Sequence, residues 1–193
     1  MNKKIIKLIG FASLLLTAPF AEAHTGLAQH SFQSGLLHPM LGLDHLLATM
    51  AVGIWAAKMG GKVRWSMPLL FIALLTVAAI WSQGLASVLA VENSIAVSLL
   101  LLGLFIVFSI KLPATIGMII VGLFAIFHGV AHGTEWPAVV TPFWYVSGFV
   151  FTTASLQVVG VMAATYGADR AQVLIRLSGM LIASAGGWIL LTN

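Results

Sequence analysis

His38-Pro39-Met40-Leu41-Gly42-Leu43-Asp44-His45 opens an apolar run that continues from Leu46 to Ala57. Two imidazoles and a carboxylate stand where a membrane-spanning helix would hold hydrocarbon. Ionisable side chains are costly inside a membrane segment, so where they occur they mark a functional site by default. A second stretch of the same kind, Phe127-His128-Gly129-Val130-Ala131-His132-Gly133-Thr134-Glu135, closes a later apolar run. The rest of the chain reads as the frame that brings these two stretches together.

The composition places that frame in a bilayer. Of 193 residues, 60% are hydrophobic and 7% charged, and the mean hydropathy is +1.06. Soluble domains carry about a quarter charged residues. The chain is therefore an integral membrane protein, and its length suits one all-α polytopic helical bundle. The pI of 9.8 is no sign of nucleic-acid binding, because the cations are sparse and lie between apolar runs. There is no cysteine, which excludes disulfides, thiolate metal sites and cysteine nucleophiles together.

The N-terminus reads as a targeting segment. Lys3, Lys4 and Lys7 form a basic n-region, Ile5 to Leu16 the apolar h-region, and Ala21-Glu22-Ala23 a small-residue cleavage site preceded by Pro19. Cleavage after Ala23 makes residues 1–23 a signal peptide and leaves His24 as the new N-terminus; the rival reading is an uncleaved signal anchor. Thr25 to Gly35 reads as a short polar arm holding a solvated His30. About 20 apolar residues cross a hydrocarbon core as a helix, and six such spans follow: Leu37–Ala57, Met67–Leu89, Ser94–Ile110, Ala114–Thr134, Pro142–Tyr166 and Val173–Leu191. Pro39, Pro68, Pro113 and Pro142 all fall near the expected starts, where proline is tolerated.

The cations orient the spans. With the mature N-terminus outside, Lys58, Lys62, Arg64, Lys111, Arg170 and Arg176 all fall on the cytoplasmic side, as the positive-inside rule requires. This predicts a multi-pass protein of a bacterial inner membrane with a periplasmic N-terminus. His38, Asp44 and His45 then occupy the outer half of span one. His128, His132 and Glu135 occupy the outer half of span four, and Glu92 the outer turn between spans two and three.

Spacing limits what these residues can do. His128 and His132 are four apart on one helix face, a spacing that can chelate one ion, and Glu135 follows on nearly the same face. In a continuous helix His38 and His45 stand about 10 Å apart along the axis, whereas a metal–imidazole bond is about 2 Å. One ion takes both only if Gly42 lets the helix unwind. Asp44 points about 100° from His45 and suits another site or an orienting role. The favoured arrangement is an inner metal site of His45, His132, Asp44 and His128. His38, Glu92 and Glu135 form the outer approach, with His24 at the new N-terminus. A single buried histidine is more often a hydrogen-bonded core residue than a ligand; it is the gathering of several on one side, with little cationic counter-charge, that points to a divalent cation. Gly129 and Gly133 form a small-xxx-small pair that also serves close helix contact. Imidazole without thiolate leaves nickel, cobalt or zinc.

The two motifs together, His38-Pro39-x-x-Gly42-x-Asp44-His45 and Phe127-His128-Gly129-x-Ala131-His132-Gly133-x-Glu135, resemble those of the HupE/UreJ family of hydrogenase- and urease-accessory nickel/cobalt permeases. The signal segment and the six spans agree, so the resemblance covers essentially the whole chain. It implies uptake of Ni2+ or Co2+ ahead of zinc, with His38, Asp44, His45, His132 and Glu135 at the motif positions that matter. It also implies a functional link to hydrogenase or urease maturation. No prosthetic group and no catalysis are expected. The rival readings are a membrane metalloenzyme, a metal sensor or chaperone that does not transport, and a haem-binding bundle. No H-E-x-x-H or G-x-S-x-G motif and no nucleotide-binding motif occurs.

Overall fold

A computed structural model describes residues 26–83, 89–134, 136, 140–166 and 169–192. All regular structure among them is helical: α1 (Gly26–Leu41), α2 (Leu43–Met59), α3 (Val63–Trp81), α4 (Leu89–Val107), α5 (Ala114–Thr134), α6 (Pro142–Tyr166) and α7 (Asp169–Thr192). The expected all-α class is what the chain adopts. α5 and α6 coincide with the expected fourth and fifth spans at both ends. Pro113 precedes the first, and Pro142 opens the second, where its missing N–H costs nothing. The expected signal peptide and His24 lie outside the described residues.

The first span departs from expectation. A continuous helix from Leu37 to Ala57 with Pro39 in its first turn is replaced by two helices, α1 and α2, that meet at Gly42 with a bend of 82°. Pro39 sits in the last turn of α1 instead. It lacks the N–H that would continue the backbone ladder, and Gly42 then takes an extended conformation at φ −90°, ψ 113°. The segment expected to be a polar arm is helical from Gly26 onward. Packing explains this, as it often overrides local polarity. Gly35 lies against the Tyr145 carbonyl of α6, and Gly148 of α6 lies against the backbone of Phe32 and Leu36 with no room for a Cβ at either glycine. The Thr141 N–H donates to Ser31 Oγ at 2.8 Å, and Thr152 Oγ1 donates to the Leu36 carbonyl at 2.9 Å. α3 also starts a turn earlier than expected, at Val63, with Pro68 inside the helix.

Three pairings organise the bundle: α1 and α2 pack in succession along α6, α3 packs on α5, and α4 on α7. The core between them is apolar, built around Trp55, Met67, Phe71, Leu99, Leu102, Ile106 and Val121. One end of the bundle is basic. There Lys58 Nζ donates to Ser109 Oγ at 3.1 Å, and Trp55 Nε1 donates to the Ile110 carbonyl at 2.9 Å. These bonds fasten the end of α2 to the turn before α5.

The outer surface is apolar as well. Leu69, Val77, Ile119, Leu123 and Leu181 are exposed, and Trp65, Trp81, Trp144, Tyr166 and Trp188 are exposed near helix ends. An apolar exterior with aromatic residues near its rims is what a bilayer selects. Four stretches are long and apolar enough to cross a membrane: α3, α5, α6 and Gln172–Thr192 of α7. The bent pair α1–α2 makes a fifth if it is one span, while α4 is apolar but shorter. The six uniform spans expected from hydropathy thus meet four whole helices, one broken one and one short one. The molecule is a polytopic helical membrane protein.

Candidate functional site

The break at Gly42 decides the site. It turns the end of α1 back over the bundle, so that His38 meets α5 rather than standing a turn and more above His45. His38 Nε2 lies 2.7 Å from His132 Nδ1, and the ring centroids are 4.7 Å apart. His132 also touches His45, with centroids 4.1 Å apart, and His45 touches His128 at 5.4 Å. The expected separation of His38 from the inner histidines is therefore corrected: four imidazoles from α1, α2 and α5 form one contiguous cluster. His45, His128 and His132 are buried, and His38 is partly so.

α5 delivers its two histidines because its glycines let it press against α3. A Cβ on Gly129 would meet the Leu75 carbonyl and Ala78, and one on Gly133 would meet Ser82 and the Ala79 carbonyl. The small-xxx-small reading of these glycines thus holds, and it complements the polar one. Ser82 Oγ, at the end of α3, reaches across the same seam to the Val130 carbonyl of α5 at 3.3 Å. His38 and His132 each fall in the last turn of their helices. Two helix C-termini with partial negative charge thus border the cluster, together with the N-terminal turn of α2, which carries Asp44 and His45 and the opposite partial charge.

Hydrogen bonds select the tautomers. His45 Nδ1 lies 2.9 Å from Asp44 Oδ1. An ionised carboxylate only accepts, so the imidazole donates from Nδ1. His128 Nδ1 lies 2.9 Å from the Phe124 carbonyl and must donate there too. In the neutral rings this leaves Nε2 of both histidines as a bare lone pair. Both Nε2 atoms are buried and have no hydrogen-bond partner among the described residues. This is the state in which imidazole binds a metal, with the other nitrogen held by a carboxylate or carbonyl. Asp44 accordingly serves as the orienting group for His45 within the described structure, one of the two roles its angle allowed.

The assembly is close-packed. Among the described residues no group of three or more His, Asp or Glu side chains is arranged to hold a metal ion. In the His38–His132 hydrogen bond the accepting ring spends its lone pair and carries its proton on the other nitrogen, so binding through both rings requires that bond to open. Of the remaining candidates, Glu92 is exposed in the first turn of α4. Its neighbour Val91 packs with Ile95 against Ala131, which sets Glu92 level with the His132 turn but outside the cluster. Glu135 lies outside the described residues, as does the side chain of His30.

Motif reading missed the aromatic wall of the site. Phe149 stands 4.7 Å from His132 and Tyr145 5.7 Å from His38, centroid to centroid. A cleft beside His132 is bounded by Thr76, Trp136, Tyr145, Val146 and Phe149. The only sequence signal was the four-residue spacing of Tyr145 and Phe149, which apolar packing alone would also produce. The Phe124 carbonyl was equally silent, though it lies four residues before His128, where a helix puts an acceptor within reach.

Comparison with known proteins finds relatives along nearly the whole chain. No solved structure matches the chain. Protein HupE of Rhizobium leguminosarum bv. viciae is 37% identical over 189 residues, covering 97% of this chain and 98% of that protein. The family described as HupE / UreJ protein matches residues 12–189. The chain that gathers four histidines around a broken first helix belongs to the HupE/UreJ family.

Proposed function

We propose that this protein is an inner-membrane permease that imports Ni2+ or Co2+ from the periplasm, with His38, Asp44, His45, His128, His132 and Glu135 as its metal-handling residues. The observation that carries the reading is the pair of buried Nε2 atoms on His45 and His128, unpartnered and held as lone pairs by Asp44 and the Phe124 carbonyl. A broken helix beside a polar cluster in a membrane bundle is also how transporters form ion sites, because the freed helix ends face the ion. In this reading α1 and α2 form one interrupted crossing, α4 completes six, and the signal peptide is removed before His24. The basic end lies in the cytoplasm. Glu92 and Glu135 draw the cation in, and the His38–His132 bond opens to admit it. The reaction is transport without catalysis, and the metal is cargo for hydrogenase or urease maturation.

Uptake of 63Ni2+ and 57Co2+ by cells lacking other carriers, normalised to folded protein in the membrane, tests this. His132→Ala abolishes uptake at equal abundance and His30→Ala changes little. Near-normal uptake by His132→Ala would refute the shared site. Metal that binds without accumulating in sealed vesicles would instead mark a sensor or chaperone.

A further inference from the structure

Polar material continues beyond the histidines. On α6, Phe149, which touches His132, is followed at four-residue steps by Thr153 and Gln157. Such steps set side chains one above the next along a helix. Thr153 and Gln157 are each only 1% exposed. The Thr153 hydroxyl and both amide atoms of Gln157 have no hydrogen-bond partner among the described residues. Buried side-chain polar atoms are nearly always bonded, so three together call for a ligand or a function. α2 runs alongside. Buried Thr49 comes one turn after His45, and Gly53 one turn further, where it lies against the backbone of Gln157. Eight residues beyond Phe149, Gln157 stands about 12 Å deeper than the histidine cluster, towards the basic end of the bundle.

We infer that Thr153 and Gln157 form a second, oxygen-donor station that receives the divalent cation from the histidines on its way to the basic end. The inference rests on the permease reading. Its chemistry follows from the donors. Imidazole suits nickel and cobalt, whereas neutral carbonyl and hydroxyl oxygens hold them weakly. A conduction path needs such a step, because a site must bind well enough to be entered and weakly enough to be left. The Gln157 side-chain carbonyl and the Thr153 hydroxyl accept the ion or its waters, and Gly53 lets α2 close directly on the Gln157 backbone. A residue buried only for packing needs no amide here.

The test uses the full chain in liposomes enclosing a Ni2+-sensitive dye, with equilibrium Ni2+ binding measured by calorimetry on the same preparation. Gln157→Met keeps the length and removes both polar atoms. The initial uptake rate falls by about tenfold or more while Ni2+ binding stays within about twofold, since the histidines are untouched. Gln157→Glu keeps an oxygen donor and retains transport where the methionine variant loses it. Thr153→Val, nearly isosteric, shows the same split between rate and binding, and carries the test if Gln157→Met fails to insert. Parental rates in Gln157→Met or Thr153→Val would overturn the station, as would equal losses in Gln157→Met and Gln157→Glu, which indicate packing. Parental rates in these variants together with lost transport in the His132→Ala control would overturn the station and leave the permease standing. Normal transport by His132→Ala would overturn both.

Discussion

Gly42→Ala is the sharpest perturbation of the site, because it adds one methyl group and no charge. The backbone at φ −90°, ψ 113° accepts alanine, so conformational strain is not the issue. The new Cβ is. It would lie 2.9 Å from Asp44 Oδ1 and 3.0 Å from His45 Nδ1, about half an ångström inside ordinary contact. These are the two atoms of the hydrogen bond that sets the His45 tautomer, and the methyl group must push them aside. Alanine also favours helix over glycine by about 1 kcal/mol, which biases α1 and α2 towards one continuous helix. In that helix His38 would stand about 10 Å from His45 along the axis and leave His132. Losing an orienting partner of a metal-ligating histidine costs about 10- to 100-fold in affinity, or about 1.4–2.7 kcal/mol. Calorimetry of Ni2+ binding to the purified protein reads this directly, with uptake measured in parallel. Gly187→Ala is the control: Gly187 lies within α7, away from the break, and nothing lies within 4 Å of its added Cβ. Binding by Gly42→Ala within about twofold of the parent, far below the loss expected of an orienting partner, would refute the role given to the break and to the Asp44–His45 pair.

Three other outcomes are expected. Gly129→Ala destabilises the protein by about 1–3 kcal/mol, because its Cβ would meet Ala78 at 2.6 Å and the Leu75 carbonyl, and backbone cannot yield cheaply; thermal unfolding in detergent measures it, and an unchanged Tm would contradict the close α3–α5 seam. Ni2+ binding is lost once acid protonates the imidazoles, because only the neutral ring binds, and binding that persists in acid until the protein itself unfolds would remove histidine from the site. N-terminal sequencing of the purified protein begins at His24, and a chain beginning at Met1 would overturn the cleavage and reopen the orientation.

Composition and hydropathy alone determine that this chain is a helical membrane protein, because a bilayer leaves backbone polar groups few other ways to be satisfied. They place α5 and α6 to the residue, since each is a long apolar run bounded by proline. The same one-dimensional pattern picks out His38, Asp44, His45, His128 and His132, because ionisable residues in an apolar run are conspicuous whatever they contact. It does not show how they meet. Hydropathy treats Leu37–Ala57 as one continuous stretch, and the 82° turn at Gly42 depends on α1 finding a seat along α6 through Gly35 and Gly148. Those are contacts between residues more than a hundred positions apart. The selection of the Nδ1-bound tautomers is likewise a matter of which acceptors lie within 3 Å of each ring. Helical periodicity fixes distances within one helix. Only the packing of helices against one another brings His38 onto His132, and leaves Thr153 and Gln157 buried beneath the cluster.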